Sequence, residues 1–450
     1  MQAPIILAID IGSSKICVLI AEINLGVPRI IGMARRSSLG VIKGVISNIE
    51  QASHSIKATV DEAKRMAGVE ELPQATICIS GAYASGENYS GIVNVSDGEV
   101  KFNDIERVIK DSVRKRESKL EAIHILPYRF QVDDYKIPSD DPMGLSANRL
   151  ECYTHIVSAK KEGLENLKKV IHNCGIEIKN IILSSYASSI AVLTPEEKQW
   201  GVACIDIGGE ISDIMVHSGL SMAHNDYLGV GSNHITLDLA KALGAQIPTA
   251  EQIKKDYGDL IISQEHKGKA LGFPTRDSEQ KSVDMEHICG IIQARVKETL
   301  ETINALLESS QVRENLRGVV LTGGFVKLKN LQKYANDLKI FGNLPVRIGV
   351  PADIDGIGKS EIQSPEMATA IGLVLHSAGK FTNYESSGKG RIQMLKSYAT
   401  KNVESILPNE DTEVGDVKDI QIQERTKTNG VGNPFKKVFS GFYDWLKGLF

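Results

Sequence analysis

Cysteine is scarce and scattered, with six in 450 residues at positions 17, 78, 152, 174, 204 and 289 and no C-x-x-C pair. That spacing argues against a disulfide scaffold or a thiolate metal site. Most of the six fall within apolar strand or helix patterns, which suits buried thiols in a reducing compartment. No apolar run is long enough to cross a bilayer, so no membrane-spanning helix is expected. The amino terminus lacks a positive stretch and Asp10 interrupts its one apolar run, so no secretory signal is expected. The ten histidines form no ligand-spaced cluster, and His287-x-Cys289 reads as helix surface and core. Aromatics make up only 5% of the chain, the net charge is −4, and no basic patch interleaves with aromatics. Nothing here points to nucleic acid.

What is present reads as a globular chain of more than one lobe. Apolar residues are 42% and charged residues 24%, ordinary values for folded domains. A chain of 450 residues is too long for one core. The most informative stretch is I-I-L-A-I-D-I-G-S-S-K-I-C-V-L-I at 5–20. Its two β-branched runs are strand-like, and Asp10, Gly12, Ser13, Ser14 and Lys15 between them form the chemistry of a tight hairpin. Backbone N–H groups of such a turn can point at phosphate oxygens, and a carboxylate ending a buried strand can reach Mg²⁺ through water. The pattern recurs at C-I-D-I-G-G, residues 204–209, where Asp206, Gly208 and Gly209 precede a returning strand at 211–216. A third glycine turn, Gly323-Gly324, ends the apolar run 319–322 and precedes a helix-like segment at 326–338. Two strand–D-x-G–strand hairpins and a late strand–GG–helix resemble the actin, sugar-kinase and chaperone ATPases, in which two similar halves clamp ATP.

The rest of the chain fills in around these turns. Asn48 and Gln51 form a capping pattern for a helix with Ile49, Ala52, Ile56, Val60 and Ala63 on one face, ending at Gly68. A first-half core lobe is expected over 1–83 and 161–197. Between its parts, residues 84–160 read as an inserted small α+β subdomain. Its expected parts are short strands punctuated by Gly81, Gly86, Gly91 and Gly98, a helix over 104–116, and strands at 123–126, 128–132 and 149–159. The second half spans 198–380, with a small subdomain at about 230–316, a polar excursion at 264–282 and a long helix at 285–309. Glu251 and Lys254 lie one turn apart on a helix and, taken alone, suit an ordinary surface ion pair.

Residues 381–432 are polar and read as a flexible linker. The last segment, 433–450, opens with Asn433 and Pro434, suited to a helix start. Phe435, Val438, Phe439, Phe442, Trp445, Leu446, Leu449 and Phe450 recur there at three- and four-residue steps, with lysines at 436, 437 and 447. Such a helix lies in an anionic membrane surface with its apolar face down.

Together these residues resemble the FtsA family of bacterial actin-like cell-division proteins. The matching segments are A-I-D-I-G-S-S-K at 8–15, H-I-L-P-Y at 124–128, D-P-M-G-L at 141–145, and R-L-E at 149–151 with His155 downstream. T-x-D-L-A at 236–240, A-E-Q-I-K-K-D-Y-G at 250–258 and the terminal amphipathic segment complete the set. The resemblance implies an α/β, two-lobed actin-like ATPase fold with an inserted α+β subdomain and a C-terminal amphipathic helix on a flexible linker. It implies ATP and Mg²⁺, with Ser13, Ser14 and Lys15 at the phosphates and Asp10 and Asp206 at the Mg²⁺ hydration shell. Gly323 and Gly324 would meet the adenosine, and Glu251 and Lys254 would flank ribose and base. It further implies actin-like filaments on the cytoplasmic face of the inner membrane. The implied partners are the C-terminal peptide of the tubulin homologue FtsZ, bound by the second-half small subdomain, and other division proteins at the inserted subdomain.

One departure stands out. Where the family has a Gly-rich, Thr-bearing second hairpin, this chain reads D-I-G-G-E-I-S-D at 206–213. Glu210 either sets negative charge beside the terminal phosphate, which would make turnover very slow, or points to solvent. The residues Ser184-Ser185-Tyr186-Ala187-Ser188 also replace the family's Leu-Ala-Ser. A metabolic phosphotransferase of the same fold is the competing class. It would need an acidic base beside an acceptor pocket, which no residue pattern supplies, and would have no use for the terminal helix.

Overall fold

Two β-branched runs separated by G-S-S-K fold as β1 (Ile5–Ile11) and β2 (Lys15–Asn24) in the computed structural model, continued antiparallel by β3 (Val27–Ser37). Described are residues 3–115, 119–135, 139, 141–264, 266–277, 280–352, 354–387 and 392–394. The chain divides into two units, Met1–Leu395 and Lys396–Phe450, and every described residue lies in the first. The expected amphipathic helix at 433–450 and most of the expected linker lie outside the described residues. Among the described residues no helix is long and apolar enough to cross a membrane.

After β3 a small hairpin, β4 (Val41–Ile42) and β5 (Val45–Ile46), leads into α1 (Ile49–Ala67). Asn48 caps α1 by accepting from Gln51 N, and Gly68 ends it in the left-handed conformation. Ile56 on the inner face of α1 is fully buried; truncation to Ala would cost roughly 2–5 kcal/mol. Strand β6 (Ala75–Ile79) then pairs parallel with β1.

The inserted subdomain differs in detail from the strands expected for it. A single strand, β7 (Ala84–Asn94), replaces several short ones. Its glycines mark close packing rather than turns, since a Cβ on Gly91 would strike the Val108 carbonyl. Helix α2 (Phe102–Arg114) follows. Strand β8 (Leu120–Val132) runs unbroken where two strands were expected, with register irregularities at 122/124 and 127/129 that absorb Pro127. With β9 (Arg149–Lys160) it completes a three-stranded sheet ordered β7-β9-β8.

Helix α3 (Lys161–Asn173), strand β10 (Ile178–Leu183), helix α4 (Ser184–Val192) and a short α5 (Pro195–Trp200) complete the first half. The second half repeats the opening plan. Strand β11 (Val202–Ile207) pairs antiparallel with β12 (Ser212–Ser218), which pairs with β13 (Ser221–Leu228). Helices α6 (Ser232–Leu243) and α7 (Ile247–Tyr257) follow. The expected polar excursion contains a hairpin, β14 (Ala270–Pro274) with β15 (Gln280–Asp284). Of its described residues only Phe273 is buried, with Leu271 and Val283 half-buried beside it, so the apolar signal is too short to announce it. Long helix α8 (Met285–Ser309) leads to β16 (Val319–Thr322), parallel to β11.

Only a one-turn 3₁₀ segment, Gly324–Lys327, follows the Gly323-Gly324 turn. The expected helix starts later, as α9 (Leu331–Asp337), because Asn330 takes a left-handed conformation. Strand β17 (Val346–Ile348) joins β16. Then β18 (Asp355–Gly356) crosses back to pair with β3, and α10 (Lys359–Ile362) and α11 (Ala368–Ser377) follow. Helix α11 packs on α4 so tightly that a Cβ on Gly372 would overlap the Ala187 carbonyl. The two main sheets, β10-β6-β1-β2-β3-β18 and β13-β12-β11-β16-β17, therefore share one plan: an antiparallel hairpin beside parallel strands.

Residues 381–387, the first of the stretch read as linker, pack against the body. Tyr384 is fully buried against Phe130 of the inserted subdomain, with ring centroids 5.7 Å apart. Ser386 bridges Ile125 of β8, and the buried Glu385 accepts from Tyr186 and pairs with His376.

Candidate functional site

The repeated plan brings two matching turns face to face. In the first, Gly12 N donates to Lys15 O at 3.0 Å; in the second, Gly208 N donates to Ile211 O at 2.8 Å. Each turn follows a strand whose penultimate residue is an aspartate, Asp10 on β1 and Asp206 on β11. The turns nearly touch, because a Cβ on Gly209 would overlap Ser14 Oγ, and Asn233 Nδ2 donates to Ser14 Oγ at 3.3 Å. Between the lobes lies a cavity of about 530 Å³. It is lined by Asp10, Gly12, Ser13, Ser14, Lys15, Asp206, Gly208, Gly209, Glu251, Lys254, Gly323 and Gly324, so all twelve residues singled out for it in the sequence meet there.

The floor of the cavity is acidic and desolvated. Burial raises the Asp10 carboxyl above the usual range, with Lys15 pulling the other way, and Cys78 Sγ donates to Asp10 Oδ1 at 3.4 Å. Burial likewise pushes Asp206 up to about 6, although Thr369 Oγ1 donates to its Oδ2 at 2.9 Å. A third carboxyl, Asp213, is pushed up to about 7 by burial and by the neighbouring Asp206. Gly81 N donates to Asp213 Oδ1 at 3.0 Å across the lobes. Sequence reasoning passed over Asp213, whose one signal was the hairpin register that sets it opposite Asp206.

Lys15 is held by a carboxylate of this chain. Its Nζ donates to the Glu366 carbonyl and lies 4.0 Å from Glu366 Oε2. Arg35 Nη1 at 2.8 Å and Lys327 Nζ at 3.2 Å share Glu366 Oε1. Burial alone would raise the Glu366 carboxyl, but Lys15, Lys327 and Arg35 outweigh it and hold it low. Arg35, Lys327 and Glu366 come from three distant stretches, and no local pattern marks them.

On the opposite wall, Glu251 and Lys254 form more than a surface pair. Lys254 is only 7% exposed. Its Nζ lies 2.7 Å from Glu251 Oε2 and donates to Thr236 Oγ1 at 2.9 Å and Ser232 O at 3.2 Å. Burial lowers Lys254, and the Glu251 contact opposes that shift. Gly323 has φ +89° and passes so close to Asp206 and the Ile207 carbonyl that no side chain fits. Glu210 points neither freely into solvent nor simply at the cavity: its Oε2 accepts from Lys43 N of the other lobe at 2.6 Å. The membrane-facing candidates Phe435, Val438, Phe439, Phe442, Trp445, Leu446, Leu449 and Phe450 lie outside the described residues.

Residues 203–372 match the family described as "Cell division protein FtsA", and residues 81–158 match "SHS2 domain inserted in FTSA". The chain is 36% identical over 425 residues to "Cell division protein FtsA" of Helicobacter pylori (strain ATCC 700392 / 26695), covering 87% of this chain and 86% of that one. This chain belongs to the FtsA family. The Escherichia coli (strain K12) FtsA is 29% identical over 420 residues, covering 90% of this chain and 98% of its own length. A role in cell division follows from that membership, and the inserted β7-α2-β8-β9 unit is the family's SHS2 domain. Among solved structures, the "PilM-PilN type IV pilus biogenesis complex" has a TM-score of 0.59 at 16% identity, covering 83% of this chain and 98% of that one. "MreB 5 of Spiroplasma citri bound to AMPPNP" has a TM-score of 0.50 at 14% identity, covering 82% and 95%. These neighbours share the actin-like fold.

Proposed function

We propose that the chain is an ATP-binding, actin-like division protein that polymerises on the inner membrane and ties the FtsZ ring to it. The observation that carries the nucleotide reading is the pair of turns closed by the same hydrogen bond and preceded by Asp10, which is buried, and Asp206, which is half-buried. Backbone N–H groups within the two turns, at Ser13 and Ser14 and at Gly209 and Glu210, form two facing nests for phosphate oxygens, with the side chains of Ser13, Ser14 and Lys15 beside them. Asp10 and Asp206 suit a Mg²⁺ held through its water shell, since that ion keeps several waters and takes few protein carboxylates. Their raised affinity for protons fits the same assignment: each carboxyl lacks a nearby charge strong enough to offset its burial. Gly324, beside the tightly packed Gly323, leaves backbone open to an adenosine, and Glu251 offers its carboxylate to ribose hydroxyls beside Lys254. The bound AMPPNP named for the MreB 5 structure is consistent with this placement. Turnover is slow at most.

The remaining proposals rest on the family and on the tail pattern. Residues 1–83 with 161–197, 84–160, and 198–380 are proposed as core lobe, inserted subdomain and second half. The small subdomain at about 230–316 takes the FtsZ C-terminal peptide, the inserted subdomain contacts other division proteins and a second copy, and 433–450 binds the anionic bilayer. Titration with fluorescent N-methylanthraniloyl-ATP and Mg²⁺ tests the cleft. Lys15→Ala and Asp206→Ala should each weaken binding, and unchanged affinity in both would overturn the assignment. Titration with the FtsZ peptide tests the partner, and the absence of a saturable signal would count against it.

A further inference from the structure

The contact between Glu210 and Lys43 joins the lobes at the phosphate end of the cleft. Lys43 and Gly44 form the two-residue tip of the β4–β5 hairpin, with φ +47° and +71°, the conformation of a type I′ turn. Each tip amide is held by one of the two phosphate turns. Gly44 N donates to Ser13 Oγ at 2.7 Å, and Lys43 N donates to Glu210 Oε2 at 2.6 Å.

The hairpin is stiff at its base and wedged at its tip. Val41 and Ile46 are buried, and Ile46 N donates to Tyr83 OH at 2.6 Å. At Gly44 a Cβ would lie 2.5 Å from Ser80 Oγ and 2.6 Å from Ile211 Cδ1, so only glycine lets the tip seat between the lobes. Ile211 and Glu210 are neighbours in the second turn, and together they meet the tip with one apolar and one charged contact. Glu210 and Gly44 both line the cavity.

We propose that Glu210 is the latch of the cleft. Its carboxylate fastens the 41–46 hairpin across the two phosphate turns and so sets the rate at which nucleotide leaves. This rests on the cleft being the ATP site. The residue works through the Lys43 amide, as a positioning residue, and its charge is incidental. A glycine in its place makes the same turn without the latch, and a glutamine keeps an acceptor at the same reach.

The test compares native protein, Glu210→Gln and Glu210→Gly in two measurements. The first is release of N-methylanthraniloyl-ATP, followed by stopped flow after a chase of unlabelled MgATP. The second is hydrogen exchange at the Lys43 and Gly44 amides without nucleotide. Glu210→Gly should release roughly tenfold faster, about the worth of one ordinary hydrogen bond, and lose protection at Lys43. Glu210→Gln should stay close to native in both. If Gln and Gly instead slow release alike, the carboxylate acts through its charge on the phosphate and the latch is overturned. Equal release rates and equal protection in all three proteins overturn it as well. Should none of them bind the probe, the ATP assignment fails and the control of release falls with it, while exchange at Lys43 still shows whether Glu210 fastens the hairpin.

Discussion

Asp206 and Asp213 stand directly opposite each other on adjacent antiparallel strands, β11 and β12, so their side chains share one face of the sheet. That face is the floor of the cleft, and burial lifts Asp206 to about 6 and Asp213 to about 7.

A pH dependence follows, and its sign can be worked out. Both groups bind a proton more tightly folded than unfolded, where the ordinary value is 3.8. Between about pH 4 and 7 the native state therefore holds more protons, and this pair lowers stability as pH rises through that window. The buried histidines His124, His155 and His217, held at about 4, 4 and 3, act in the opposite direction. The measurement must therefore be a difference. Asp213→Asn keeps an acceptor for Gly81 N and removes the charge. Its melting temperature relative to native should differ least near pH 4 and be higher near pH 8, by on the order of 1–3 kcal/mol in stability. A pH-independent difference would refute the desolvated-carboxyl account.

Glu366 gathers Lys15, Arg35 and Lys327, three cations around one carboxylate. Glu366→Gln should leave them available to an anion. Affinity for N-methylanthraniloyl-ATP should rise about fivefold at low salt, and the gain should shrink as ionic strength rises. Lys15→Ala should move affinity the other way. An affinity in Glu366→Gln unchanged across salt would show that these cations do not face the phosphates.

The parts of this site that were legible are the ones encoded locally. Asp10, Gly12 and Lys15 sit between two strand-length β-branched runs, and the same grammar recurs at Asp206, so both turns can be read within about a dozen residues each. Asp213 depends on register, and Arg35, Lys327 and Glu366 depend on a chain that crosses back into the first lobe through β18 and α11. No window of sequence contains that crossing. Glu210 was legible as an oddity but not as a contact, because its partner is a backbone amide 167 residues away. Residues 381–387 misled for another reason: two aromatics, Phe381 and Tyr384, among five polar residues are too little apolar content to distinguish a packed strap from a linker.

That strap is directly testable. Tyr384 is fully buried, stacks edge-on to Phe130, and donates to Asp141 Oδ1 at 2.6 Å. Tyr384→Ala removes a large buried ring and should cost roughly 3–5 kcal/mol. Since Phe130 and Asp141 belong to the inserted subdomain, hydrogen exchange should rise first across β8 and β9, leaving β11 and β12 protected. Unfolding that begins in the second half would contradict the packing described.

The tail proposal makes the most demanding prediction, because it concerns residues 433–450, outside the described part of the chain. At helical spacing Phe435, Val438, Phe439, Phe442, Trp445, Leu446, Leu449 and Phe450 share a face, and the lysines lie elsewhere. An interfacial helix of this kind gains from apolar burial and from attraction to anionic lipid. Burying one large side chain is worth roughly 1.5–3 kcal/mol, so Trp445→Glu should lower partitioning onto anionic vesicles by about ten- to a hundredfold. Flotation of the full chain with such vesicles measures this, alongside a chain ending at Gly432. Because one helix binds weakly, attachment should strengthen under conditions that favour filaments, where many tails act together. Neutral vesicles should hold less protein than anionic ones, and added salt should reduce the difference. A chain ending at Gly432 that floats as well as the full chain would place the membrane contact elsewhere and end the proposal.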